Sequence, residues 1–352
     1  MTAARSLRSF SRRTAIGVFA ALVCLSPGGG CEKKPASGAA KPNTGTQTGA
    51  GSGGSGGADA KKTLRVGYSQ IGDESGWRKA NTASITSEAT KRGIDLDFHD
   101  AVQKQENQIK ALRNFVVKKV DVIVLSPVVE TGWEPVLKEI KQAGIPVVLS
   151  DRAVEVSDPS LFATFIGADF VEEGRLAAEW LAKATDGKAK IAELQGTAGS
   201  APALDRKKGF AEGLKSHPDM QIIKTQSGEF TRAKGREVME AFLKSPDGKQ
   251  ITAVYAHNDE MALGAIQAIE EAGMKPGVDI KIVSIDGVKD AFKAMVDGKL
   301  NCSVECNPLL GPYVFDAVQA IAAKKPIEKR IVTKTVVFEQ KTAAEDIKTR
   351  QY

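Results

Sequence analysis

Asp151 and Arg152 set an acid beside a base where the apolar run Pro146 to Leu149 ends. In an open α/β sheet, ligands bind in the crevice beyond the carboxyl ends of the strands, so such a pair there reads as a ligand clamp. Other apolar runs end in the same kind of residue: Gly72-Asp73-Glu74-Ser75-Gly76-Trp77-Arg78, Gly196-Thr197 with Asp205-Arg206 beyond, Glu229-Phe230, His257-Asn258-Asp259, Asp286-Gly287 and Glu305. A sugar hydroxyl both donates and accepts, and planar Asp, Asn and Arg groups can meet it with two hydrogen bonds at fixed angles. The C–H face of a sugar ring suits an aromatic side chain, and Trp77 and Phe230 could cover the two faces. Singly, each feature has an ordinary alternative: Asn258 as a helix cap, Asp286-Gly287 as a helix entry, Trp77 as core, Asp151-Arg152 as a structural ion pair, Arg206 as a surface charge. Their convergence on one crevice favours the ligand reading, because so many polar groups are costly to bury unpaired.

The elements that must position them alternate short β-branched runs with helical periodicity, the pattern of parallel sheets with crossover helices. Strands are predicted at Leu64 to Ser69, Val122 to Leu125 and Pro146 to Leu149, with helices near Trp77 to Lys91, Glu106 to Lys118 and Trp133 to Ala143. The cycle restarts with helices near Glu172 to Lys183, Ala203 to Lys215, Arg232 to Leu243 and Glu260 to Ala272, and strands Lys190 to Leu194, Ile222 to Gln226, Ala253 to Ala256 and Lys281 to Ile285. A helix at Val288 to Asp297, a strand at Asn301 to Val304, a helix at Pro312 to Ala323 and a strand at Lys334 to Phe338 complete the pattern. Two successive α/β lobes are the simplest account, and 352 residues allow each its own core.

The net charge of +6 is not carried by this part. Residues 1–61 hold eight Lys/Arg and two Asp/Glu, leaving 41 of each in the remainder, so the main reason to expect a nucleic-acid partner is gone. Arg5, Arg8, Arg12 and Arg13 precede the apolar run Ala15 to Leu25, which suits an export signal and is too short to span a bilayer. Arg12-Arg13 fits a twin-arginine or an ordinary basic start equally. Gly28-Gly29-Gly30-Cys31 is similar to a bacterial lipoprotein cleavage site, so residues 1–31 are expected as a signal with Cys31 acylated; a soluble secreted form is the alternative. Residues 32–61 are Gly-, Ser- and Thr-rich with almost no large apolar side chain, a flexible tether by composition. Cys302 and Cys306 would lie about 13 Å apart on a strand, beyond the roughly 7 Å a disulfide spans, so both are expected as free thiols. His99, His217 and His257 are scattered, no metal-ligand spacing occurs, and no cofactor is expected.

Asp151-Arg152, Asp205-Arg206-Lys207-Lys208-Gly209-Phe210, Ala256-His257-Asn258-Asp259 and Ser284-Ile285-Asp286-Gly287 resemble the pentose/hexose family of periplasmic sugar-binding proteins, whose type I fold also serves LacI-like repressors. Ser75-Gly76-Trp77-Arg78, Gln103-Lys104-Gln105-Glu106-Asn107-Gln108, Thr131-Gly132-Trp133-Glu134-Pro135, Glu193-Leu194-Gln195-Gly196-Thr197 and Glu305-Cys306-Asn307-Pro308 are similar to its furanose-binding branch, which makes galactofuranose the expected sugar. The resemblance spans about Leu64 to Phe338. It implies a type I periplasmic-binding-protein fold: two Rossmann-like lobes with parallel sheets joined by a three-stranded hinge, residues 62–165 with 307–335 and residues 166–306 with 336–352. Ser75, Trp77, Arg78, Asp151 and Arg152 would come from the first lobe, and Arg206, Phe230, Asn258 and Asp286 from the second, with Glu305 as a further contact. At the position where the wider family carries Gln, this chain carries Cys306. The resemblance further implies a monomeric substrate-binding component of an ABC importer, in the periplasm and held near the membrane by its lipid anchor, that delivers its sugar to a permease. A repressor would need a helix-turn-helix before Leu64, where the signal and tether stand. A glycosidase would need two carboxyls held at different pKa values, whereas Arg78, Arg152 and Arg206 would keep nearby acids ionised. A lipoprotein that presents its sugar-bound form to a sensor is the remaining alternative.

Overall fold

The computed structural model describes residues 63–352; the expected signal, Cys31 and the tether lie outside the described residues. The chain first runs through β1 (Arg65–Gln70), α1 (Gly76–Lys91), β2 (Asp95–Asp100), α2 (Gln105–Lys118), β3 (Val122–Leu125), α3 (Glu134–Gln142), β4 (Val147–Ser150) and β5 (Thr164–Gly167). It then crosses to α4 (Phe170–Ala184), β6 (Ala189–Gln195), α5 (Ala201–Leu214), β7 (Met220–Ser227), α6 (Arg232–Lys244), β8 (Ala253–Ala256), α7 (Asp259–Glu271), β9 (Lys281–Asp286), α8 (Lys289–Val296) and β10 (Cys302–Glu305). Next α9 (Gly311–Ala322) returns to pack on α1, and β11 (Arg330–Val332) joins the first sheet. Finally β12 (Val337–Glu339) joins the second sheet and α10 (Ala343–Asp346) packs on α8.

The two six-stranded sheets repeat one plan: β2-β1-β3-β4-β5-β11 and β7-β6-β8-β9-β10-β12. All pairs are parallel except β10 with β12. In each lobe the first strand of the lobe lies between the second and third, so the strand order reverses beside β1 and beside β6, the switch points at which α/β sheets open a crevice. The inner strands β3, β4, β8 and β10 are wholly buried, as helices on both faces demand. Three crossings, after β5, after β10 and between β11 and β12, join the lobes.

Three strands escape the sequence pattern. The first-sheet edge strand β2 reads Asp-Leu-Asp-Phe-His-Asp, too charged to stand out as apolar, and β5 and β11 have only four and three residues. Both expected free thiols, Cys302 and Cys306, are unbridged and buried. In the second lobe, α4 and α5 touch almost backbone to backbone: a Cβ on Gly174 would lie 2.2 Å from the Arg206 carbonyl oxygen, and one on Gly209 1.9 Å from that of Val171.

Candidate functional site

The turn after β4 is built on β5. The Asp151 amide donates to the Ile166 carbonyl at 2.8 Å, and Gly167 lies so close that a Cβ there would meet the Asp151 carbonyl oxygen at 2.7 Å. Asp151 thereby takes a left-handed conformation, φ 68°, and two other strand-end residues do likewise, Phe230 at 60° and Asp286 at 131°. Non-glycine residues held at positive φ cost free energy and concentrate at functional sites.

On the first lobe, Ser75 caps α1 by accepting from the Arg78 amide at 3.1 Å, which sets Trp77 and Arg78 on the first helical turn. Arg78 donates from Nη2 to Asp151 Oδ2 at 2.7 Å and from Nε to Glu74 Oε1 at 3.0 Å. Arg152 donates to the Val128 carbonyl at 3.1 Å and stands 3.7 Å from Asp151 Oδ2 and 4.0 Å from Glu74 Oε1. Burial works against ionising Glu74, but the guanidinium groups of Arg78 and Arg152 hold its carboxyl below the usual range. Burial, with Arg78 close by, pushes Arg152 down to about 10, so it keeps its charge at neutral pH.

On the second lobe, Arg206 projects from α5. It donates from Nε to Glu173 Oε2 at 2.8 Å and from Nη1 to the His257 carbonyl at 2.6 Å, and its Nη2 lies 3.8 Å from Asp286 Oδ1. Glu173 stands on the first turn of α4, and its reach to Arg206 depends on the Gly174 contact between the helices. Burial outweighs the attraction of Arg206 and raises the Glu173 carboxyl to about 7; burial also lifts Asp286 well above the carboxylate range. Asn258 caps α7 through Oδ1 and donates from Nδ2 to the Phe230 carbonyl at 3.0 Å. The Phe230 ring lies over Gly196, where a Cβ would fall 1.9 Å from it, and Arg152 and Arg206 stand 5.3 and 6.0 Å from its centre.

These groups line a narrow cavity between the lobes, with about 20 Å³ of free volume as the lobes stand. Ser75, Trp77, Arg78, Asp151, Arg152, Arg206, Phe230, Asn258 and Asp286, all named from the sequence, line it. Glu305 is not among them. Its carboxylate instead accepts from Arg350 Nη1 at 2.8 Å and from the Tyr352 hydroxyl at 3.1 Å, while its neighbour Cys306 reaches the cavity. Glu74, Pro202 and Cys306 also line the cavity, though they were not among the expected contacts. Glu74 was discoverable: it lies in the loop after β1, four residues before Arg78, and the two form an ion pair. Pro202 carries no such signal.

The lining holds three guanidinium groups, on Arg78, Arg152 and Arg206, and three carboxyls, on Glu74, Asp151 and Asp286. Glu74 Oε2 and Arg152 Nε are buried without a hydrogen-bond partner. The acceptor and the donor left over suit a ligand that both donates and accepts, which is the behaviour of hydroxyl groups. Trp77, 5 % exposed, packs with the apolar core of the second lobe, and its indole N–H donates to the Cys306 carbonyl at 2.5 Å. Among the described residues no group of three His, Cys, Asp or Glu side chains could hold a metal ion.

Two lobes of repeated topology, joined by three crossings around a small polar cavity walled by both, define a clamshell binding protein. The chain belongs to the periplasmic binding proteins: the family model described as a periplasmic binding protein domain matches residues 66–326. It is a binding protein and not an enzyme. It is 53 % identical over 291 residues to the galactofuranose-binding protein YtfQ of Escherichia coli (strain K12), covering 82 % of this chain and 92 % of that protein. The periplasmic binding protein of the arabinose ABC transporter from Shewanella sp. ANA-3, bound to α- and β-L-arabinofuranose, is 55 % identical with a TM-score of 0.80, covering 82 % of this chain and 96 % of that one. A Mycobacterium smegmatis protein in complex with β-D-fucofuranose is 52 % identical with a TM-score of 0.80, over the same shares of the two chains.

Proposed function

We propose that this chain is the exported substrate-binding component of a sugar ABC importer and takes one monosaccharide in its furanose form, galactofuranose, between the lobes. The observation that carries this reading is the composition of the cavity: guanidinium donors and carboxyl and amide groups from both lobes, fixed by buried ion pairs and closed by Trp77 from one lobe and Phe230 from the other. Ser75, Arg78, Asp151, Arg152, Arg206, Asn258 and Asp286 bind hydroxyl groups, and the two rings cover the sugar faces. Furanose ligands in the relatives support the ring form. Glu305 serves the site through its neighbour Cys306.

A ligand that touches both walls binds the closed arrangement better than the open one, and that difference alone drives closure. The closed form then docks on a membrane permease. Micromolar affinity corresponds to about −8 kcal/mol, within reach of a few charge-assisted hydrogen bonds of roughly 1.5–3 kcal/mol each plus stacking, after the losses of association. Residues 1–31 act as the export signal, Cys31 carries the lipid, residues 32–61 tether the two lobes to the membrane in the periplasm, and the protein works as a monomer. A thermal-shift screen of monosaccharides tests the assignment. A ligand at a hundred times its dissociation constant adds about 2.7 kcal/mol of stability. Galactose or arabinose is expected to raise the melting temperature; no shift with any pentose or hexose would remove the sugar assignment.

A further inference from the structure

Arg350 lies far along the chain from every cavity residue, yet it touches the ends of two strands that serve the cavity. Its guanidinium is caged by three rings, with centres 5.2 Å away at Phe292, 4.8 Å at Phe338 and 4.4 Å at Tyr352. Its side chain is 9 % exposed. Nη1 donates to Glu305 Oε1 at 2.8 Å, and Nη2 donates to the Tyr352 hydroxyl, which itself donates to the same carboxylate oxygen at 3.1 Å. The Tyr352 carbonyl accepts from the Lys289 amide at 2.8 Å, which pins the segment to the start of α8. Nη2 also bears on Gly287, where an added Cβ would lie 3.0 Å from it.

Both contact points lead to the cavity in one residue. Gly287 follows Asp286, whose strained backbone directs a carboxyl into the lining. Glu305 precedes Cys306, whose carbonyl receives the Trp77 indole across the cleft. Glu305 is also where two of the three crossings meet, since its amide donates to the Val336 carbonyl at 2.7 Å. A planar cation held by rings and bonded to a buried carboxylate is a rigid connection, because removing it leaves Glu305 an uncompensated charge.

We propose that Arg350 is a positioning residue of the cleft: it fixes the ends of β9 and β10, and through them the Asp286 carboxyl and the Cys306 carbonyl that receives Trp77. The consequence for affinity rests on the sugar reading; the consequence for Trp77 does not. The test uses 5-fluorotryptophan-labelled protein, whose Trp77, Trp133 and Trp180 resonances are assigned by single Trp→Phe variants. In Arg350→Met without sugar, the Trp77 resonance is expected to move or broaden while those of Trp133 and Trp180 stay in place. With L-arabinose as the probe, the dissociation constant is expected to rise about three- to ten-fold. Arg350→Lys, which keeps the charge but not the plane, is expected to recover part of both effects. Tyr352→Phe, which keeps the ring cage, is expected to give a smaller change in the same direction and serves if Arg350→Met fails to fold. An unmoved Trp77 resonance in both Arg350→Met and Tyr352→Phe would overturn the proposal; failure of wild-type protein to bind arabinose would count against the sugar reading alone.

Discussion

Asp151 does two jobs, and the structure separates them. Its carboxylate neutralises the buried Arg78 at 2.7 Å, and its backbone takes the left-handed turn at the end of β4. Deleting the side chain would leave Arg78 and Arg152 with Glu74 as their one remaining shared carboxylate, so Asp151→Ala mixes lost binding with lost stability. Asp151→Asn is the cleaner test, because asparagine tolerates positive φ and keeps the shape. It is expected to weaken sugar binding by about two orders of magnitude in titration calorimetry, from loss of charged hydrogen bonds worth roughly 1.5–3 kcal/mol each, with a cooperative melt retained. A second consequence is a pH effect from Glu173, whose carboxyl burial raises from 4.5 to about 7. Over that range the folded chain holds a proton that the unfolded chain releases, so this contribution is complete below pH 4.5, falls as pH rises, and is gone above about 7. Glu173→Gln mimics the protonated state and is expected to flatten the decline in melting temperature between pH 5 and 7; an unchanged slope in calorimetry would place the linkage elsewhere. Asp151, Arg152, Arg206 and Asp286 were legible because strand ends at a switch point define a site before any coordinate is known. Glu173 was not, because it reaches Arg206 only through the close approach of two helices.

At the scale of elements, small residues decide which groups can meet. Gly174 lets α4 lie against α5, and any side chain there must push the Arg206 backbone away. Gly174→Val is expected to cost more than the 1–3 kcal/mol usual for overpacking, because backbone and not a flexible side chain blocks the Cβ, and urea denaturation measures it. Gly196→Ala acts differently, since only the Phe230 ring stands in the way. The ring must tilt, so binding is expected to weaken while the denaturation midpoint moves little; unchanged affinity would remove Phe230 from the ligand's surface. The long, strongly periodic helices and the buried runs of β3, β4 and β8 could be read from the sequence, since their packing imposes a period. The short β5 imposes none, although it anchors the Asp151 turn through the Ile166 carbonyl. Glu305 was misplaced for a related reason: a strand-end position says which residue is near the crevice, and the partner Arg350, forty-five positions on, decides where the carboxylate goes.

At the scale of the molecule, the lobes touch at the rim as well as through the hinge. The Gly76 amide donates to Glu260 Oε1 at 3.2 Å, and the Glu130 amide donates to the Gly199 carbonyl at 2.9 Å. These contacts, with the Trp77 indole bonded to Cys306, belong to a closed arrangement that opening would break. The rim contacts are polar, the Trp77 ring adds an apolar contact with the core of the second lobe, and a ligand that touches both walls favours the same closed arrangement. The measurement that bears most directly on the central claim is calorimetric titration of the wild-type protein with D-galactose and, separately, with methyl β-D-galactopyranoside, which cannot leave the six-membered ring. Galactose is expected to bind one per chain, with an apparent affinity reduced in proportion to its small furanose fraction, and the locked pyranoside to give no binding heat. Equal binding of both, or of neither, would contradict a cleft shaped for one furanose sugar.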